Sequence, residues 1–360
     1  MVLAAPGCDS QGVPFVPSDN VGGGDAGTDV SGVDIPGNVD AAPGWDWWAG
    51  DLLVWRSEPL PIREVFHDID GVANGAGYEV YVVGFRGAVL RMDSAVGDWI
   101  DVSPATTRSI EGVWAAGPEQ AWICGEAGLL MRYAAPPGAT YPEWTDQTDP
   151  LRTETLNGID GFGPDNVWAV GDGGVVLTNQ GDGWEQVPLE TLEIPAAMSN
   201  DLYAVYLRGP EDVWIAGQGI LLWWNGVEWD RRSVASADAF LSVGGAGETI
   251  WVGSDAGYLW YYNTEKWQRI YAPVYYDYDA VWVNEDGTAY ATGEDPSPQS
   301  IIWFGTKEPW DQLEVASPEG MPEQWAVEEN SLVTGLWGSS PEDLFACTQQ
   351  QQVLHYKKHE

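Results

Sequence analysis

Residues 157–187 decide how this chain is read. Asn157-Gly158-Ile159-Asp160-Gly161-Phe162 predicts a first strand, and Gly163-Pro164-Asp165-Asn166 predicts the turn after it. Proline there presets φ for the second position of a type I turn. Val167-Trp168-Ala169-Val170 follows as a second strand. Gly171-Asp172-Gly173-Gly174 then turns the chain with glycines that reach positive φ. Val175 to Thr178 predicts a third strand, and Trp184-Glu185-Gln186-Val187 a fourth. Four short strands joined by tight turns describe one antiparallel sheet.

The unit recurs along the chain. Its aromatic-led second strand returns at Tyr81, Trp122, Trp168, Trp214, Trp251, Tyr290 and Phe345, at spacings of 41, 46, 46, 37, 39 and 55 residues. A four-stranded propeller blade takes about 40–50 residues. The first turn recurs as Gly117-Pro118-Glu119-Gln120, Gly209-Pro210-Glu211-Asp212 and Ser340-Pro341-Glu342-Asp343. A closing tryptophan recurs as Trp99, Trp144, Trp184, Trp229, Trp267 and Trp310. The last unit stops before its fourth strand. The N-terminal piece of roughly 51–66, which comes before the first unit and contains Ile62-Arg63-Glu64-Val65-Phe66, is read as the missing one. The expectation is an all-β, seven-bladed β-propeller closed by an N-terminal strand, since closure removes exposed edges. The blades fall at about 67–103, 108–148, 155–190, 200–235, 238–272, 278–315 and 331–360 plus 51–66.

The 22 tryptophans then have a structural cause, because wide rings fill the wedge between neighbouring blades. Cys124 and Cys347 share one repeat position and are expected to be buried fillers that form no disulfide. Fifteen basic residues against 55 acidic ones give a net charge of −40. That field repels nucleic acid and favours cations and basic protein surfaces. No run of about 18 apolar residues is present to span a membrane as a helix.

Small residues run into Cys8 at the start of the chain. This resembles the end of a bacterial lipoprotein signal, which implies lipidation at Cys8 and an extracytoplasmic, envelope or secreted location. The basic segment and the full apolar stretch of such a signal are missing from 1–8. Residues 9–44 are rich in Gly, Asp and Pro and lack aromatics between Phe15 and Trp45, so they are expected to be a disordered acidic linker. Across 46–360 the repeat resembles tectonin-type propellers, several of which are lectins. It is similar also to bacterial propellers related to the photosystem II assembly factor and to Asp-box repeats. The Asp-box pattern Ser-x-Asp-x-Gly-x-x-Trp is not met, and Asn179-Gln180-Gly181-Asp182-Gly183-Trp184 comes nearest.

Catalytic constellations are sparse. A sialidase-like site would need converging arginines, and those here are scattered through the repeat. His67, His355 and His359 have no metal-binding spacing. No cofactor is expected, although the turn Asn284-Glu285-Asp286-Gly287 could hold calcium weakly. Aromatics outside the repeat register cluster in residues 271–279 and 316–331. Tyr275, Tyr276, Asp277, Tyr278 and Trp325 are therefore the candidates for a ligand face, since Tyr and Trp beside carboxylates suit a protein hot spot or sugar stacking. The leading expectation is a monomeric, non-enzymatic protein-interaction scaffold. A glycan-binding propeller is the alternative. A hydrolase comes third and would show one deep central site with a shifted carboxylate pKa.

Overall fold

A computed structural model of the chain describes residues 53–188, 201–232, 239–271 (save 256, 263 and 265), 277–294, 300–305, 325–326 and 332–358. They fall in one compact unit, Ala49–Glu360. A second unit, Met1–Trp48, holds Cys8 and the linker of 9–44, and both lie outside the described residues.

Among the described residues the strands pair into seven four-stranded antiparallel sheets. Their innermost strands are Phe66–Asn74, Ile110–Gly117, Leu156–Gly161, Leu202–Gly209, Phe240–Ala246, Ala280–Val283 and Val333–Ser340, numbered here as blades one to seven. The second strands pair with them in one common register. Ile69 faces Val82, Val113 faces Ile123, Ile159 faces Ala169, Val205 faces Ile215, Val243 faces Val252, Val281 faces Ala291 and Leu336 faces Ala346. The repeat read from the sequence is thus a repeat in space, and the fold is an all-β propeller.

One expectation is corrected and another is narrowed. Of the seven expected blades, not all are complete. Six are full, with an outermost strand of three residues or more, whereas the sixth sheet ends in the two-residue strand Trp325–Ala326. Trp325 pairs opposite Ile302, and the expected closing Trp310 lies outside the described residues. The closing N-terminal strand falls within the expected piece 51–66, as Leu53–Ser57 paired with Val353–Lys358, and Ile62-Arg63-Glu64-Val65 is not part of it. Pro59 and Pro61 interrupt the chain between the two, and proline cannot donate to a ladder. Phe66, fully buried, opens the first inner strand instead.

The aromatic lead of each second strand fills the inter-blade wedge as expected. Trp122 meets Trp184 of the next blade edge-on at 5.5 Å between ring centres. Trp168 meets Trp229 at 5.9 Å, Trp214 meets Trp267 at 6.0 Å, and Phe345 meets Trp99 at 6.2 Å. Edge-to-face pairs at this spacing add about 0.5–1.5 kcal/mol each beyond area burial. Cys124 and Cys347 are free and fully buried.

The glycine that ends these second strands has a steric cause. A Cβ on Gly84, Gly125, Gly171 or Gly217 would overlap the backbone carbonyl of Val65, Ser109, Thr155 or Asp201, just ahead of the inner strand. The same carbonyls accept the backbone N–H of the next residue, as Asp172 N to Thr155 O at 2.9 Å.

Ring closure carries a charged clasp. His355 stacks on Phe345 at 3.8 Å, and its Nε2 and Nδ1 lie 2.6 Å from Asp343 Oδ1 and 3.0 Å from Glu58 Oε1. Burial alone would lower the His355 pKa, but the bonds to Asp343 and Glu58 outweigh it and hold the imidazolium above the ordinary histidine range. A raised folded pKa means stabilisation that is full below about pH 6.5, the ordinary histidine value, and lost as pH rises through the folded value. A His355→Gln variant should therefore be less stable than the parent by about 1.5–3 kcal/mol at pH 5.5, the worth of hydrogen bonds to charged groups. The gap should shrink as pH rises through the folded value. Urea midpoints over a pH series upward from 5.5 measure it, and a gap that does not change with pH would show that the imidazolium contributes nothing.

Candidate functional site

The inner strands share a local irregularity. In six blades the register slips by one residue near the start, at Phe66/Asp68, Ile110/Gly112, Leu156/Gly158, Leu202/Ala204, Phe240/Ser242 and Val333/Gly335. A bulge leaves one residue outside the ladder and re-aims its side chain. The bulged residues are His67, Glu111, Asn157, Tyr203, Leu241 and Thr334, and Asp279 stands just before the sixth inner strand at the same place in the register. All seven line one central cavity of about 420 Å3. The bulge is thus the device by which each blade contributes one residue, mostly polar, to the same rim.

The rim is ordered by local bonds. His67 Nδ1 lies 3.0 Å from Glu111 Oε2 and 3.0 Å from the Ile110 carbonyl. Burial would lower its pKa, but the Glu111 carboxylate outweighs that and raises it. Burial would raise Glu111, and His67 outweighs that in turn and lowers it. Asn157 donates to Asp172 and to the Leu202 carbonyl, each at 2.9 Å. Tyr203 donates to Gln218 at 2.9 Å.

Deeper in the cavity lie three aspartates that no motif singled out. Asp68 accepts the N–H of Ile69 at 2.8 Å and that of Val113 in the next blade at 2.9 Å. Asp70 accepts the N–H of Ala115 in the next blade at 2.7 Å. Asp160 accepts Gly161 N at 2.8 Å and Leu207 N of the next blade at 2.6 Å. Burial is the main cause that pushes Asp68 and Asp160 up to about 7, against these hydrogen bonds. It pushes Asp70 well above its ordinary value, and Asp160 and Asp68 raise it further. Each of the three lines the cavity with only a small part of its side chain exposed. The sequence did hold a signal. Ile69-Asp70-Gly71 and Ile159-Asp160-Gly161 are the same tripeptide at equivalent repeat positions.

The residue after the aligned Ile/Val/Leu also sets six of the seven junctions between inner strands, the fifth blade having Gly244 there. Where it is aspartate, it accepts an N–H from the following blade, as Asp70 and Asp160 do. Where it is aromatic, the ring lies across a glycine of the following blade. A Cβ on Gly161 would sit 2.5 Å from the Trp114 ring, one on Gly71 2.7 Å from Trp337, one on Gly338 2.9 Å from Trp282, and one on Gly245 3.0 Å from Tyr206.

The expected ligand-face residues fare unevenly. Tyr278 is corrected: it is fully buried in a cluster with Trp251, Leu259 and Tyr261, and its carbonyl accepts Ser242 Oγ at 2.9 Å. An off-register aromatic has here found a core slot that repeat spacing does not reveal. Asp277 is exposed, and partial burial and Asp255 raise its pKa. Tyr275 and Tyr276 lie outside the described residues. Trp325 sits in the outermost strand of the sixth sheet instead of in a free loop. The turn Asn284–Gly287 is a closed hairpin turn in which Asp286 accepts the Thr288 N–H at 2.8 Å. Among the described residues no group of three or more His, Cys, Asp or Glu is placed to hold a metal ion.

The fold has close counterparts among solved structures. A structure described as YCF48 bound to D1 peptide superposes with a TM-score of 0.60 at 13% identity, covering 85% of this chain and 98% of that one. The fold is that of a β-propeller. A streptogramin B lyase structure gives a TM-score of 0.65 at 11% identity over 87% of this chain and 99% of that one. The WD40 propeller domain of Doa1 gives 0.59 at 11% identity over 87% and 98%. At such identities the propeller fold is what is shared. No family model matches the sequence, and no curated protein does.

Proposed function

We propose that this chain is a non-enzymatic, exported binding module, a protein-interaction scaffold that takes a basic partner over the mouth of its central cavity. One observation carries the reading. Five carboxylates (Asp68, Asp70, Glu111, Asp160 and Asp279) line the cavity; among the described residues His67 is the one basic residue beside them, and neither lysine nor arginine lines it. A concave acidic surface focuses the field of a chain whose net charge is −40 toward one place. The structure described as YCF48 bound to D1 peptide supports the same reading, since a propeller of similar fold takes a peptide as its ligand. Export and lipidation at Cys8 belong to the proposal on the sequence resemblance alone.

A hydrolase is the second reading, favoured by the deep central site and the raised carboxylates. Against it, both oxygens of Asp68 and of Asp160 already accept backbone N–H groups, which ties them to holding blades together.

The test is fluorescence anisotropy of a labelled lysine- and arginine-rich peptide titrated with the full chain at about 0.15 M salt, a Debye length of about 8 Å. Changing Glu111→Gln and Asp279→Asn together should weaken binding at least about tenfold, or about 1.4 kcal/mol. The charge-matched pair Asp98→Asn and Asp182→Asn, on exposed turns, should leave it nearly unchanged. Equal losses in both pairs would reduce the attraction to net charge and remove the rim from the reading.

A further inference from the structure

Beneath the rim, one register position forms a second ring around the cavity: Asp70, Trp114, Asp160, Tyr206, Gly244, Trp282 and Trp337. Two carboxylates alternate with aromatic rings, and the glycine leaves a gap. We infer that this ring binds an organic monocation of the alkylated ammonium class, free or as the head of a larger ligand. The inference goes beyond the partner reading above, because a protein could seat on the rim with the ring empty.

Three observations select that chemistry. The first is the wall. Trp114, Tyr206, Trp282 and Trp337 line the cavity, and aromatic faces attract cations by about 0.5–2 kcal/mol each, most when water is excluded. The second is the state of the carboxylates. Asp68 and Asp160 each give both oxygens to backbone N–H donors, and Asp70 gives one to Ala115. They therefore supply negative potential while their best lone pairs are engaged. A small metal ion needs those lone pairs as ligands. An alkylated ammonium needs none of them, only the potential and the π-faces. The third is size. A cavity of about 420 Å3 lies within the range of about 300–1,000 Å3 typical of small-molecule sites.

The charge of the site changes near neutrality. The titratable groups facing it are Asp68, Asp70 and Asp160 within, and His67, Glu111, Tyr203 and Asp279 at the rim, with Tyr206 in the ring itself. Asp68 and Asp160 titrate near 7 because they are buried, so raising the pH from 6 to 8 ionises them. Cation binding should therefore tighten with pH and release protons.

The experiment is isothermal titration of the full chain with choline and with its neutral isostere 3,3-dimethylbutan-1-ol, in parallel with tryptophan fluorescence. The expected result is saturable choline binding, at least tenfold weaker for the alcohol, stronger at pH 8 than at pH 6, and weakened at least tenfold in Trp282→Leu. Trp282→Phe, which keeps a π-face, should restore most of the affinity and guards against a merely unfolded variant. Equal response to the two probes, no binding of either, or unchanged affinity in a folded Trp282→Leu chain would overturn the inference. Basic-peptide binding measured on the same samples keeps the two readings apart. Peptide binding without choline binding removes the ring alone, and choline binding without peptide binding removes the rim alone.

Discussion

Replacing Glu79 by alanine should cost about 3–5 kcal/mol of folding stability, the range for removing one partner from a buried ion pair. Glu79 is 1% exposed at the head of the second strand of blade one. It accepts Asn74 Nδ2 at 2.9 Å, the Tyr81 hydroxyl at 3.1 Å, Arg91 Nε at 3.0 Å, and the backbone N–H of Glu119 at 2.9 Å. The last donor belongs to the first turn of blade two, where Glu119 holds a φ of 55°. One carboxylate thus compensates a guanidinium that is 11% exposed and also ties two blades together. Alanine would leave the guanidinium, a phenol and a backbone N–H short of an acceptor at once, and an unmet buried donor costs about 1–3 kcal/mol. Urea denaturation should show the loss. Asp98→Ala, on an exposed turn, should stay within about 0.5 kcal/mol of the parent. A Glu79→Ala chain as stable as the Asp98 variant would mean that the donors find water or other acceptors.

The second large effect is expected from cutting the clasp. A chain beginning at residue 59 lacks Leu53–Ser57 and Glu58. Val353–Lys358 is then left as an open edge, Tyr356 loses Trp55 at 5.3 Å, and His355 loses one of its two carboxylates. The lost ladder bonds, at about 1 kcal/mol net each, approach the whole stability of a domain, about 5–15 kcal/mol. The fragment should lose its cooperative transition and associate through the open edge. A fragment of residues 49–360 should melt as the full chain does, because it keeps the strand. Size-exclusion chromatography with thermal melting separates the outcomes. A monomeric, cooperative 59–360 fragment would show that the ring holds without its closing strand.

The scaffold was far more legible in the sequence than the site. Aromatic-led strands, glycine turns and closing tryptophans repeat because every blade solves the same packing problem, as Trp122 on Trp184 and Trp168 on Trp229 show. The rim was invisible for the opposite reason. His67, Glu111, Asn157, Tyr203, Leu241, Asp279 and Thr334 share a place and no chemistry, so self-similarity cannot find them. A bulge is also a fact of pairing, which only the register reveals. Tyr278 misled in the other direction, since an aromatic outside the repeat looked available for a ligand and is core. The thin sixth sheet escaped because Trp310 stands where a closing tryptophan is due, while the strand that pairs is Trp325–Ala326.

The rule at the junctions bears on how such a protein can change over evolutionary time. A chain made of similar units invites slippage that adds or deletes one. Here each unit has a leading edge and a trailing edge cut to a particular neighbour, Trp114 to Gly161 and Asp160 to the N–H of Leu207. A duplicated second unit would set Trp114 against a copy of Ala115, where a side chain stands in place of the hydrogen the ring requires. The aromatic edges thus work as an address, which a unit without the matching glycine does not meet.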